Sequence, residues 1–174
     1  LREHAPDVFE RTNWVLLLDA SEEMECADFG QLCRERLQGA VAALVFEGGR
    51  QNENTFKFVA SRKGRATFRV EVEGRGAHAG SEHPRGANAI TQLAHTVQHI
   101  AALTDPARGL TFNVGTITGG TALNRVPSEA VARLEMRAFT PDVYQDGMAK
   151  LRALENDIVV RSAADGFPCR VKVV

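Results

Sequence analysis

Apolar and polar positions follow two different rhythms along this chain, and the change falls near residue 62. Before it, Trp14-Val15-Leu16-Leu17-Leu18 and Ala42-Ala43-Leu44-Val45-Phe46 are short unbroken apolar runs, the pattern of parallel strands buried on both faces. Between them, Asp28 with Gln31 three residues on reads as an N-cap with a reciprocal partner, predicting a helix over 29–37. Strand, helix, strand is a parallel α/β unit too small to cover both faces of its own sheet.

From Lys63 onward the strands alternate. Ala66, Phe68, Val70 and Val72 interleave with Thr67, Arg69, Glu71 and Glu73, the mark of a half-exposed strand. Ile90, Leu93, Ala94, Val97, Ile100 and Ala101 then repeat at helical spacing, and Thr104-Asp105-Pro106 ends that helix. Leu110, Phe112 and Val114 open a second alternating strand, broken at Gly119-Gly120. A third carries Ala130, Ala132, Leu134, Met136 and Ala138 on one face and Arg133, Glu135 and Arg137 on the other. Thr140-Pro141 starts a helix with the apolar stripe Val143, Met148, Leu151, Leu154 and Ile158, and 169–174 is a last strand.

The order β-α-β-β-α-β predicts an α+β, ferredoxin-like domain, with a four-stranded antiparallel sheet and two helices on one face. Residues 62–174 form this domain and 1–61 a partial α/β segment before it. In that topology the second strand is an edge. Leu110 to Thr118 carry neither charge nor proline, so the edge is open to pairing with a second copy, the first helix packing alongside.

Composition narrows the function. With 21 Lys plus Arg against 22 Asp plus Glu in 174 residues, the chain lacks the basic surface that nucleic acid requires. A single Trp and a single Tyr argue against a base-stacking platform. No apolar run approaches the ~20 residues that span a bilayer. Three cysteines, with no Cys-x-x-Cys spacing, indicate neither a disulfide framework nor a thiolate zinc site, and fit a reducing, cytoplasmic setting.

Candidate chemistry sits at strand ends and in loops. Glu22 and Glu23 follow the first apolar run and Glu47 ends the second, at the carboxyl ends where α/β sheets keep their ligand crevice. Converging carboxylates suit a divalent metal and proton transfer. Gly74-Arg75-Gly76-Ala77-His78-Ala79-Gly80 presents one imidazole among small residues, able to donate to a developing oxyanion. Asn124 follows a glycine turn. Arg137 projects from the helix-free sheet face, where it either clamps a carboxylate or pairs with acids on a wet surface. His95 and His99 are four apart on a helix, the spacing of a two-ligand metal site. However, Gln98 stands where a zinc-protease helix would need other chemistry and no acid follows His95, so metal binding is set aside in favour of a polar stripe or dimer contact.

Taken together, Ser21-Glu22-Glu23, Phe46-Glu47, residues 74–80, Gly86-Ala87-Asn88-Ala89, Asn124-Arg125-Val126-Pro127 and Met136-Arg137 resemble the co-catalytic zinc hydrolases. That family includes acetylornithine deacetylase, succinyl-diaminopimelate desuccinylase, aminoacylase and glutamate carboxypeptidase. The resemblance implies a hydrolase of the amide bond in an N-acyl amino acid or peptide with a free carboxylate. Residues 62–174 correspond to its lid, which dimerises, and 1–61 to a piece of its catalytic domain. Glu22 corresponds to the general base, Glu23 and Glu47 to ligands of two zinc (or cobalt) ions, and His78 to the lid histidine that reaches a partner's active site. Asn124 and Arg137 correspond to substrate-binding residues, and with His78 they would form a lid surface that serves a partner's active site. The family's remaining ligands, a His-x-Asp, a bridging Asp and a late His, have no counterpart here, so the expectation is an inactive fragment without bound metal. The alternative is a non-catalytic ferredoxin-like module for dimerisation or small-ligand binding.

Overall fold

In the computed structural model, which describes residues 2–20, 27–45 and 61–174, the chain divides into two units, Leu1–Phe56 and Lys57–Val174. The first unit holds two helices, Pro6–Glu10 (α1) and Ala27–Arg36 (α2). Helix α2 begins earlier than its sequence predicts. Asp28 therefore lies inside the first turn, where its charge complements the helix dipole. Gln31 bonds Glu35 at 2.9 Å instead of reaching back to a cap.

The two apolar runs of this unit are not strands among the described residues. Leu16 and Leu18 are about four-fifths exposed, and Trp14 turns aside to stack on Phe9 and donate to its carbonyl at 3.1 Å. A buried parallel strand needs neighbours on its edges and helical cover on both faces. No described residue of the first unit supplies either.

The second unit builds the ferredoxin-like fold. In chain order its elements are Gly64–Glu73 (β1), Ala77–His78 (β2), Ala89–Ala102 (α3), Thr111–Gly119 (β3), Arg125–Val126 (β4), Glu129–Ala138 (β5), Pro141–Ala153 (α4) and Arg170–Val173 (β6). The main sheet runs β3-β5-β1-β6, all antiparallel, and β2 pairs with β4 in a separate two-stranded ribbon. Alternation decides which face is buried. Ala130, Ala132, Leu134, Met136 and Ala138 are all buried, as are Val70 and Val72 opposite them. The helices cover this face with Leu93, Ile100 and Leu151, each fully buried and each stabilising by roughly 1.5–3 kcal/mol.

Two local features depart from the simple pattern. Strand β3 shifts register between Val114 and Thr116, leaving Gly115 as a bulge, so Ile117 rather than Thr116 shares the helix-side face with Ala132. In α3 the buried positions are Ala89, Gln92, Leu93, Thr96 and Ile100, while Ile90, Ala94 and Ala101 face outward. The core side of this helix is partly polar because a backbone segment after α4 packs there and needs hydrogen bonds.

Among the described residues, no helix is long and apolar enough to cross a membrane.

Candidate functional site

Where β1 ends, the chain turns through Gly74 into the loop that carries His78. Gly74 N donates to Ser128 O at 2.7 Å, and Arg75 and Ala87 exchange two backbone hydrogen bonds of 2.9 Å. Gly74, Gly76 and Gly80 lack positive φ. Gly74 is there for space, since a Cβ would fall 2.1 Å from the Ala87 carbonyl oxygen, whereas one on Gly76 would make only ordinary contact with the Arg125 guanidinium at 3.5 Å. Across the β2–β4 ribbon His78 pairs with Arg125, and Ala79 N donates to Asn124 O at 2.9 Å. The structure thus brings His78, Asn124 and Arg125 to one end of the sheet.

The His78 ring is held by its Nδ1. That nitrogen accepts from Gly80 N at 3.2 Å and Ser81 N at 3.1 Å, with Ser81 Oγ also 3.1 Å away. Backbone amides only donate, so Nδ1 carries a lone pair and the proton resides on Nε2. The imidazole is exposed. Its geometry suits donation to an incoming anionic oxygen.

Arg75 pins this loop from behind, a role the sequence reading does not assign. Its Nε donates to Arg85 O at 2.6 Å, its fork grips Asp165 at 2.8 and 2.5 Å, and its guanidinium lies 4.6 Å from the Phe167 ring centre. The signal in the sequence is a long cation between two glycines, where small neighbours leave room for a side chain to thread. The Arg75 fork, then the Ser162 hydroxyl, hold the Asp165 carboxyl well below the usual carboxylate range.

Three more carboxyls are held low: Glu135 by Arg137, Asp146 by Lys150 and Arg108, and Asp157 by His95 and His99. A depressed folded-state value means the stabilisation is fully present above the unfolded value, near pH 4, and is lost as pH falls through the folded one. Asp165→Asn is therefore expected to lower stability at pH 7 and to flatten the acid-side decline below about pH 4. Urea unfolding across that range measures it, and parallel profiles for mutant and wild type would remove the linkage.

Arg137 is elsewhere. It sits near the far end of β5, paired across the sheet with Arg65 and Thr111, and both its Nε and Nη2 contact Glu135 at 2.9 and 3.2 Å. Eight residue steps along β5 separate it from Glu129 at the His78 end, roughly 27 Å at the usual rise. Glu22, Glu23 and Glu47 lie outside the described residues.

Among the described residues, three side chains can converge on a cation: His95, His99 and Asp157. The two histidines face this acid from after α4, not a bare polar stripe.

Residues 60–161 match the family model described as the peptidase dimerisation domain. The chain is 36% identical over 69 residues to a p-aminobenzoyl-glutamate hydrolase homolog of Haemophilus influenzae, covering 39% of this chain and 16% of that one. It is 34% identical over 110 residues to the N-acetyldiaminopimelate deacetylase of Bacillus velezensis, covering 60% of this chain and 27% of that one. The chain therefore spans less than a third of the length of either curated relative. Among solved structures, the aminobenzoyl-glutamate utilization protein of Klebsiella pneumoniae superposes with a TM-score of 0.55 at 26% identity, over 64% of this chain and 27% of that one.

Proposed function

We propose, from the premise that this chain belongs to the M20 peptidase dimerisation-domain family of hydrolases, that residues 62–174 are the lid of a metal-dependent amidohydrolase. Its substrate would be an N-acyl amino acid or peptide with a free carboxylate, and its working form a homodimer. The observation that carries the reading is the His78 ring, whose Nδ1 is engaged by Gly80 and Ser81 and whose Nε2–H is thereby left to donate. That donor binds the oxygen on which charge develops when the amide carbonyl is attacked. Arg125, directly across the ribbon, adds positive charge on the same side.

Glu22 takes the proton of the attacking water, and Glu23 and Glu47 are ligands from the first unit. Carboxylate oxygens fit a divalent cation such as zinc, which when bound supplies a Lewis acid to polarise the scissile carbonyl. Asn124 holds the substrate beside His78. Arg137 recognises the carboxylate, releasing Glu135 to do so. With roughly 27 Å of β5 between Glu129, at the His78 end, and Arg137, we read His78 and Arg137 of one chain as serving different substrates. We assign Arg137 to its own chain's active site and His78 to the partner's.

Dimerisation through β3 is supported by its edge position and by two exposed apolar side chains there, Ile117 at 55% and Ile90 of α3 at 40%. The proposal is tested on the intact protein by mixing two inactive variants, His78→Ala and Glu22→Gln. If His78 acts on the partner, each mixed dimer rebuilds one complete site, and random exchange restores about a quarter of wild-type turnover. A mixture as inactive as its parents would sink the in-trans assignment. Full activity of either single variant would sink its proposed role.

A further inference from the structure

We propose that His95, His99 and Asp157 form a binding site for a first-row divalent cation of the zinc, cobalt and nickel class. The two histidines lie four apart on α3, which places their rings on one face with centroids 4.1 Å apart. Both aim at the same carboxylate oxygen: His95 Nε2 is 2.9 Å and His99 Nδ1 2.7 Å from Asp157 Oδ2. The possible ligand atoms of the three side chains lie within 4.8 Å of one another. Two imidazole nitrogens and a carboxylate oxygen are the donor set that this class of metal prefers.

In the metal-free state the two ring nitrogens donate protons to the carboxylate, which can only accept. A cation takes the place of both protons, each neutral imidazole carrying its proton on its other ring nitrogen instead. Metal–nitrogen bonds near 2.0–2.1 Å put neighbouring tetrahedral ligands roughly 3.3 Å apart, so each ring nitrogen needs to move only about half an ångström away from the Asp157 oxygen. The remaining coordination positions face solvent, since His99 is 47% and Asp157 35% exposed.

Chance proximity of surface side chains would leave Asp157 on a loose loop, but this loop is fixed. Gln92, one turn before His95 and Thr96 on the same helix, is fully buried. Its Nε2 donates to Asp157 O at 2.9 Å, and its Oε1 accepts from Val159 N and Val160 N at 2.9 and 3.0 Å. The backbone that presents the carboxylate is thus bolted to the helix that presents the imidazoles. Such support by neighbouring hydrogen bonds is what holds ligands in register for a metal. No acid directly follows His95 in the sequence; this one arrives from 62 residues downstream.

The experiment is a titration of the intact protein, already carrying whatever cations its Glu23 and Glu47 region holds, with cobalt(II) and then zinc(II). The readouts are calorimetry, the visible absorption of bound cobalt, and the imidazole NMR signals of His95 and His99. One further equivalent per chain is expected. It should be weakened more than about tenfold in each of His95→Ala, His99→Ala and Asp157→Asn, and retained in Glu23→Ala. Added zinc should raise the melting temperature of wild type but not of His99→Ala. His99 is exposed, so its loss leaves the fold in place, which unfolding without metal verifies. Titrations that superimpose for wild type and all three variants, or unmoved histidine signals at millimolar metal, would reduce the cluster to an ion-paired staple between helix and loop.

Discussion

Gln92→Leu is expected to destabilise the C-terminal unit by about 3 kcal/mol, although leucine matches the volume and suits a core. Gln92 makes every hydrogen bond its amide can make. Its two N–H groups donate to Asp157 O and Thr96 Oγ1, and its oxygen accepts from Val159 and Val160. Leucine would strand two backbone donors and one acceptor in part-buried surroundings, each costing roughly 1–3 kcal/mol, offset partly by the added apolar burial. Gln98→Leu, on the exposed side of the same helix, is the control and should change stability by less than about 0.5 kcal/mol. Urea denaturation gives the difference, and hydrogen exchange should show lost protection at the Val159 and Val160 amides. Equal stabilities for the two leucine variants would mean the loop after α4 finds other partners.

That glutamine also marks where the sequence stops being legible. The period-two strands and the order of elements are readable because burial of one face leaves a direct imprint on alternate residues. Strand β5, with five of five predicted inward positions buried, is the clearest case. Helix α3 is different. Its apolar residues suggest Ile90, Ala94 and Ala101 as core, yet the packed stripe includes Gln92 and Thr96. Their partner is a backbone segment distant in sequence, and no local period encodes its need for hydrogen bonds.

The site divides in the same way. His78 and Asn124 lie far apart in sequence, yet β2 and β4 bring them together, a pairing too short to leave a pattern. Arg137 lies only 13 positions from Asn124, but most of that interval is one extended strand, so spacing becomes distance. Strand geometry makes this readable in advance once β5 is recognised. The apolar runs before Glu22 and Glu47 imitate buried strands in composition, but burial requires neighbours that the described residues of the first unit do not provide.

The other large effect belongs to Gly74→Ala, and its cause is space, not backbone freedom. Gly74 has no positive φ, but a Cβ built there falls 2.1 Å from the Ala87 carbonyl oxygen and 3.2 Å from Ala89 N. The obstacle is main chain that cannot rotate away. Ala87 exchanges paired hydrogen bonds with Arg75, and Ala89 N donates to Pro127 O at 3.0 Å. Making room for one methyl must open the Arg75–Ala87 bridge, so the cost combines overpacking of 1–3 kcal/mol with two lost backbone bonds of about 1 kcal/mol each. A loss of roughly 3–5 kcal/mol is expected, against less than about 0.5 kcal/mol for Gly64→Ala, whose Cβ meets nothing closer than 3.8 Å. The same opening would detach the loop that aims His78. If His78 plays the role we propose, a Gly74→Ala variant of the intact protein that still folds should therefore lose turnover out of proportion to its stability, measured as kcat at a temperature where it remains native. Near-wild-type stability and turnover would mean that the chain at residues 84–89 yields freely, and that the His78 loop does not depend on it.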